Sequence, residues 1–509
     1  MRSKAPVIRL IMLAAALTML VASAASGSAR QPASRSADAA LGSSRVLAGA
    51  GTVLRHQSSR PQPAAHLGGD SRWVATWTTS PQGAYPLGYE VGQPGPIGPA
   101  APGFEQPLLA YAFPDKQARN QTLRMIVHPS IGGNVWRVKL TNRFGTRPVT
   151  FGRAVVGLHA GGAGATLVPG TNRALTFGGR RSVTVPAGNE VRSDPVHLRI
   201  ADEDAQRSSL AVSLYIPGTS GLMTWHAASF TTSYITDPNA GDHTADVTER
   251  AFLHPTTSWF FVNGLEVQRR HTATVVAFGD SITDGFFSTI NGNDRWPDVL
   301  QRRLLRDRDD RPVISVVNQG IAGNMITRVG RLPGGCTPCD GPPAIDRLDR
   351  DVLSQPGLRV VILFMGINDL GGGGATAAQV IDGMREIIRR VHARGVKIIG
   401  ATLTPARGTA FGLYGTPETD ARRRAVNDFI RHSGLFDGVA DFSAATEDPA
   451  NPGHLLPAYD TNTSVGGPGD HLHPNRAGFL TMGAAVDLAQ LKRLVAMAEE
   501  RGHPTSVIP

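Results

Sequence analysis

From Trp73 to Val267 the chain alternates apolar and polar residues in short runs, with Gly, Pro, Asn and Asp between them. Leu123, Met125 and Val127 share one face of such a run, as do Trp136, Val138 and Leu140, and later Leu210, Val212, Leu214 and Ile216. A period of two is that of a half-buried strand, and the repeated turn residues predict an antiparallel β-sandwich with jelly-roll-like closure. After His271 the texture changes. Apolar, β-branched runs at Thr274–Phe278, Val313–Asn318, Arg359–Met365, Val396–Thr402 and Val439–Phe442 alternate with amphipathic segments near Trp296–Arg306, Ala377–Arg394, Glu418–His432 and Asn475–Glu499. Strands alternating with helices predict a three-layer α/β domain around a parallel sheet.

The front of the chain follows different rules. Arg2, Lys4 and Arg9 accompany an apolar run from Leu10 to Val21 and the small-residue site Ala22-Ser23-Ala24, the organisation of a secretory signal. Residues 25 to 70 are rich in Ala, Ser, Gly and Arg without an apolar period, which predicts a disordered linker. The expected organisation is a signal peptide at 1–24, the linker at 25–70, the β-domain at 71–268 and the α/β domain at 269–509. The expected location is extracellular. No cysteine follows the first apolar run and no later run is long enough to span a bilayer, so stable membrane insertion is not expected.

A formal charge of +10 would suit a nucleic-acid partner. Export and the scatter of the arginines, apart from helical runs such as Arg422-Arg423-Arg424, assign it to a solvated basic surface, and no nucleic acid is expected. The only cysteines, Cys336 and Cys339, form one C-x-x-C inside a Gly/Pro-rich loop. A second ligand pair for zinc is missing, and an exported chain favours a short-loop disulfide. Five of the six tryptophans, Trp73, Trp77, Trp136, Trp225 and Trp259, fall in the β region, where they can stack on sugars or anchor a core; Trp136, inside an apolar alternation, reads as core. Nothing in the sequence specifies an oligomeric state.

Candidate chemistry gathers at the ends of the α/β strands. The run Val275–Phe278 stops at Gly279-Asp280-Ser281-Ile282-Thr283-Asp284-Gly285, which sets Ser281 on the first turn after a strand, beside backbone N–H groups without intrahelical partners. A helix cap would also account for a serine there. A serine nucleophile needs a base, and the base needs a group that fixes its tautomer. In Gly469-Asp470-His471-Leu472-His473-Pro474-Asn475, Asp470 can hold His473 by Nδ1 and leave Nε2 for Ser281, whereas the adjacent His471 should point elsewhere. Two histidines and an aspartate can alternatively bind a metal, but no other His/carboxylate cluster of ligand spacing accompanies them. Asn475 reads as the cap of the last helix. Gly323, through its backbone, and Asn368, through its amide, are suitable donors to a developing oxyanion. Thr283 stands where an α/β-hydrolase elbow has its second glycine, and Gly371–Gly374 lacks the lysine of a phosphate loop.

Taken together, the blocks Gly279–Gly285, Asn318–Gly323, Gly366-Ile367-Asn368-Asp369 and Asp470-x-x-His473-Pro474 resemble those of the SGNH (GDSL-type) hydrolases, in the same order, over about residues 272 to 495. The resemblance implies a flavodoxin-like three-layer α/β/α fold and ester hydrolysis with neither metal nor cofactor. It implies Ser281 as nucleophile with its own N–H in the oxyanion hole, Gly323 and Asn368 as the other donors, His473 as base and Asp470 as its orienter, with Asp280 and Asp369 in support. The first block has Ile282 where the family has Leu, an apolar exchange. The expected function is a secreted serine esterase whose substrate is an ester, here expected to be an acylated polysaccharide, because a preceding β-domain is similar to the arrangement of the secreted carbohydrate-esterase-like branch. The alternatives are a lipase or phospholipase-type acylhydrolase, for which Ala410–Tyr414 would be a small apolar lip, and an exported glycan-binding protein without turnover.

Overall fold

The computed structural model describes residues 72–85, 94–95, 98–99, 107–307, 312–328, 340–409, 413–460 and 469–501. The expected signal peptide, linker and Cys336–Cys339 disulfide, and residues 410–412 of the apolar lip, lie outside the described residues.

Between residues 272 and 440, five parallel strands form one sheet in the spatial order Val313–Gly320, Thr272–Gly279, Leu358–Phe364, Lys397–Ala401 and Gly438–Ala440. In chain order this is 2-1-3-4-5, the flavodoxin-like arrangement, whose topological switch point falls at the carboxyl end of the first strand. Val275, Val276, Ala277 and Phe278 are all fully buried, which is why this strand reads as a continuous apolar run. Two helical groups supply the cover: Trp296–Arg306 packs on Arg476–Ala485, and Ala377–His392 packs on Pro417–His432.

The strand positions match the apolar runs to within two residues at each end, but the last helix does not. The single helix expected at Asn475–Glu499 is two, Arg476–Ala485 and Leu488–Arg501. Val486 is extended (φ −72°, ψ 120°), and the Asp487 carboxylate accepts from the N–H groups of Ala489 and Gln490, so a new N-cap interrupts an otherwise continuous apolar period. Phe442, expected to end a strand, instead begins the helix Phe442–Thr446, capped by Asp441.

The preceding part of the chain is antiparallel. One sheet holds Arg72–Thr78, Val262–Arg269, Gly133–Thr141, Glu190–Arg192 and Val196–Ile200; another runs His254–Thr256, Ser233–Ile235, Arg119–Val127, Leu210–Thr219, Arg153–Leu158 and Arg173–Ala174. The faces predicted from alternation, Leu123 with Met125 and Val127 and Trp136 with Val138 and Leu140, meet in one apolar cluster. Trp77, Trp136, Trp225 and Trp259 are buried in it and are core anchors, whereas Trp73 is half-buried beneath the Arg137 guanidinium.

The two parts join through hydrogen bonds as well as chain continuity. Val313–Gly320 is the edge strand of the parallel sheet, and the strand Arg72–Thr78 lies against it: Ser315 donates to the Ala75 carbonyl (2.7 Å), Thr78 to that of Asn318 (3.1 Å), and Ser130 to that of Val316 (2.5 Å). Ala75 itself belongs to the core of the parallel-sheet part. Uncovering this edge would expose unpaired backbone groups and apolar area together. Residues 269–509 expressed alone are therefore expected to aggregate or to melt well below the full chain; size-exclusion chromatography and thermal circular dichroism check this, and a monomeric fragment of unchanged Tm would contradict it.

Candidate active site

Three neighbouring strands end together. In the parallel register Gly279 lies opposite both Gly320 and Phe364, so Ser281, Gly323 and Asn368 leave the sheet from one edge. Close packing demands glycine here. A Cβ on Gly279 would sit 2.0 Å from Thr283 Oγ1, and one on Gly320 would sit 2.3 Å from the Asp284 nitrogen, because the short helix Ser281–Asp284 rests directly on the second strand.

Asp280, rather than Ser281, caps that helix: its carboxylate accepts from the Ile282 N–H at 3.1 Å. Ser281 is thereby released from capping, and its Oγ lies 2.8 Å from His473 Nε2, with both residues buried. His473 Nδ1 bonds Asp470 Oδ2 at 2.5 Å, while Asp470 Oδ1 accepts from the N–H groups of Leu472 (2.9 Å) and His473 (2.7 Å). An acceptor at Nδ1 keeps the proton there and turns the Nε2 lone pair toward the serine. Burial disfavours the His473 imidazolium, yet the Asp470 charge and hydrogen bond outweigh it and hold the histidine above its ordinary pKa. Burial likewise works to raise Asp470, but His473 and the two backbone donors keep it below the usual carboxylate range.

The turn that carries these groups is clamped from outside. Gly469 presses on the Asp460 backbone so closely that any side chain would overlap it. His471, at φ +60°, donates its backbone N–H to Asp460 Oδ1 (2.7 Å) and bonds the other oxygen through Nδ1, so it points away from Ser281 with its side chain half-exposed. Asn475 caps the following helix, accepting from Ala477 (2.9 Å) and Gly478 (3.1 Å). Among the described residues no group of three His, Cys, Asp or Glu is placed to hold a metal ion, and no helix is long and apolar enough to cross a membrane.

Gly323 has φ +73°, and a Cβ there would meet Asp340 Oδ1 at 2.5 Å. The Asn368 amide is fixed at both ends: Tyr414 donates to its oxygen (2.8 Å), and one of its two N–H bonds goes to the Asn324 carbonyl (3.0 Å), leaving the other as a donor. Asp369 staples this helix to the Gly323 loop by accepting from Ile326 N–H (2.8 Å), Thr327 N–H (2.9 Å) and Thr327 Oγ1 (2.8 Å). Burial pushes Asp369 up to about 6 against those donors, and pushes Asp280 up to about 7 against the Ile282 N–H and nearby His473.

Sequence reasoning passed over two features. Arg347, fully buried, donates to the carbonyls of Gly279 (2.9 Å) and Gln319 (2.9 Å), to Asn324 Oδ1 (2.9 Å), to Ser80 Oγ (2.8 Å) and to Asp351 (3.2 Å). No local pattern marks it among 51 lysines and arginines. The second feature is aromatic. Phe286 stacks on His473 (centroids 5.1 Å apart), Phe287 meets the ring edge-on (5.9 Å), and Phe230, from the antiparallel part, packs on Phe286 (5.6 Å). Two phenylalanines directly after the Ser281 block were a usable signal for this wall.

Residues 277–479 match the model of the GDSL-like lipase/acylhydrolase family, and this part of the chain carries a domain of that kind. Members of the family are esterases and acylhydrolases. No curated protein matched the chain. Similar solved structures include a G-D-S-L family lipolytic protein from Desulfitobacterium hafniense, 20% identical over 44% of this chain and 99% of that one (TM-score 0.30). A protein described as an arylesterase from Agrobacterium tumefaciens is 21% identical over 44% and 99% (TM-score 0.31), and the acetyl xylan esterase AlAXEase is 17% identical over 42% and 96% (TM-score 0.29).

The direction of the His473 shift has a kinetic consequence. A histidine that is to take the proton of Ser281 must be neutral, so under an esterase reading kcat/KM should fall on the acid side with a midpoint above that of an ordinary histidine. Asp470→Asn removes the charge that raises it and should move this limb to lower pH as well as slow the reaction. A limb that stays in place in Asp470→Asn would disconnect it from His473.

Proposed function

We propose that this protein is a secreted serine esterase that cleaves carboxylic esters through an acyl-enzyme on Ser281 and deacylates a saccharide. The observation that carries the enzyme reading is the buried chain from Ser281 Oγ to His473 Nε2 (2.8 Å) and from His473 Nδ1 to Asp470. As His473 takes its proton, Ser281 attacks the acyl carbonyl, and the negative charge that appears on the carbonyl oxygen is met by N–H groups of Ser281, Gly323 and Asn368. His473 then protonates the departing alkoxide, and water deprotonated by the same nitrogen releases the acid. Asp280 and Asp369 support this arrangement by capping the Ser281 helix and by tying Asn368 to the Gly323 loop.

Secretion rests on residues 1–24. The saccharide half rests on the rim, since the buried tryptophans no longer support it. Of the large apolar side chains exposed among the described residues, only Leu413, beside Tyr414, belongs to the segments that build the site, whereas a long-chain lipid substrate calls for a contiguous apolar landing surface. We read the antiparallel part as a sandwich-like domain that contributes one wall, through Phe230, and a lipid acylhydrolase is the competing assignment.

With p-nitrophenyl acetate and the full chain, Ser281→Ala should abolish hydrolysis; undiminished turnover would refute the acyl-enzyme. Asn368→Ala should lower kcat about 10²–10³-fold with KM little changed, because the donor acts on a charge present only in the transition state. Faster release of acetate from acetylated polysaccharides than of fatty acid from long-chain esters is the expected outcome of a substrate comparison, and the reverse order would assign the protein to lipids.

A further inference from the structure

We infer that His226, a residue of the antiparallel part, is a positioning residue for the hydrolytic site: it holds Asp284 and, through Asp284, the alignment of the Ser281 helix with the Gly323 loop. The inference rests on the reading of Ser281 as nucleophile and deepens it.

Asp284 ends the four-residue helix that Ser281 begins, and it is 4% exposed. Its two oxygens face different parts of the molecule. Oδ2 accepts from the N–H of Ala322 at 3.0 Å, one residue before Gly323, and Oδ1 lies 3.0 Å from His226 Nε2. One carboxyl group thus joins the element that carries the nucleophile to the loop that carries an oxyanion donor. A rotation of Asp284 would release the Ala322 N–H and with it the orientation of the following peptides.

His226 is built to prevent that rotation. It is 2% exposed, and its Nδ1 bonds the carbonyl of Ser80 at 2.8 Å. A carbonyl only accepts, so Nδ1 carries a proton, and a second proton shared between Nε2 and the carboxyl group makes the bond to Asp284. The ring lies over Trp259, with centroids 5.5 Å apart. Ser80 is itself secured from the other side, its hydroxyl bonding the Gln319 side chain and receiving Arg347. The four residues that follow add further attachments: the Ser229 carbonyl receives the Arg295 guanidinium, Phe230 packs on Phe286 beneath His473, and the Phe230 carbonyl accepts from the Asn291 N–H at 2.8 Å. Segment 226–230 therefore touches the nucleophile helix, the ring stacked on the base, and the loop that follows them.

The test uses the full chain and p-nitrophenyl acetate. His226→Leu should lower kcat about 10–100-fold with KM within about threefold, the cost of misaligning groups that themselves remain. His226→Gln, which keeps a hydrogen-bonding side chain able to reach Asp284, should recover kcat to within about fivefold of wild type. Asp284→Asn should resemble His226→Leu, and the double variant should be no slower than the slower single one. Equal loss in the Leu and Gln variants, an additive double variant, a change confined to KM, or a kcat within about twofold of wild type in His226→Leu would overturn the inference. If His226→Leu loses its near-UV circular dichroism, the nearly isosteric Asp284→Asn decides, and an unchanged kcat in that folded variant also overturns it. Ser281→Ala is assayed alongside: hydrolysis that survives it removes the esterase reading itself, whereas hydrolysis lost there but untouched in His226→Leu removes only the function given to His226.

Discussion

A single buried guanidinium sets the geometry on which the rest depends. Arg347 donates to the Gly279 and Gln319 carbonyls near the ends of two parallel strands, to the amide oxygen of Asn324 in the following loop, and to Ser80 of the antiparallel part, with Asp351 as its counter-charge. Burial lowers its pKa to about 10, so it remains charged at neutral pH even without water around it. A planar fork with several donors holds the two strand ends at fixed separations, adding to the Ile321 N–H bond that the Gly279 carbonyl already accepts. Ser281 and Gly323 emerge from those two ends, and Asn324 hands the constraint on to Asn368.

Much of this architecture is legible in the sequence because burial writes it in composition. Strands covered on both faces become unbroken apolar runs, as at Val275–Phe278, and one-sided strands become alternations, as at Leu123–Val127. The Asp470–His473 pairing was readable because three residues on a turn place the two side chains together. The missed features share a physical reason: they are made by residues far apart in the chain. Arg347 acts through carbonyls, which have no letter in the sequence, and the Phe230–Phe286 contact joins residues whose proximity only the packed tertiary structure creates. The break at Val486–Asp487 was hidden by an apolar period that runs on across two helices.

The site also shows how the chain uses aspartate in one small volume for different ends. Asp470 is held ionised by a histidine and two backbone donors, while Asp280 and Asp369 are raised toward neutrality by burial and spend their acceptor capacity on backbone N–H groups. Side chains of one type thus divide into a charge that orients His473 and connectors that set the frame, the division made by burial and by the charge of the neighbouring histidine.

The strand Arg72–Thr78 carries a consequence for how the molecule comes into being. It pairs with Val262–Arg269 and covers Val313–Gly320, so its partners leave the ribosome long after it does. Contacts of such sequence separation are slow to form, because the intervening chain must be ordered or closed into a loop first. The earliest of the described strands to be synthesised is therefore among the last to find its place. Its backbone edge waits without a partner until Val262–Arg269 has followed, and that interval is when the nascent chain is most exposed to aggregation.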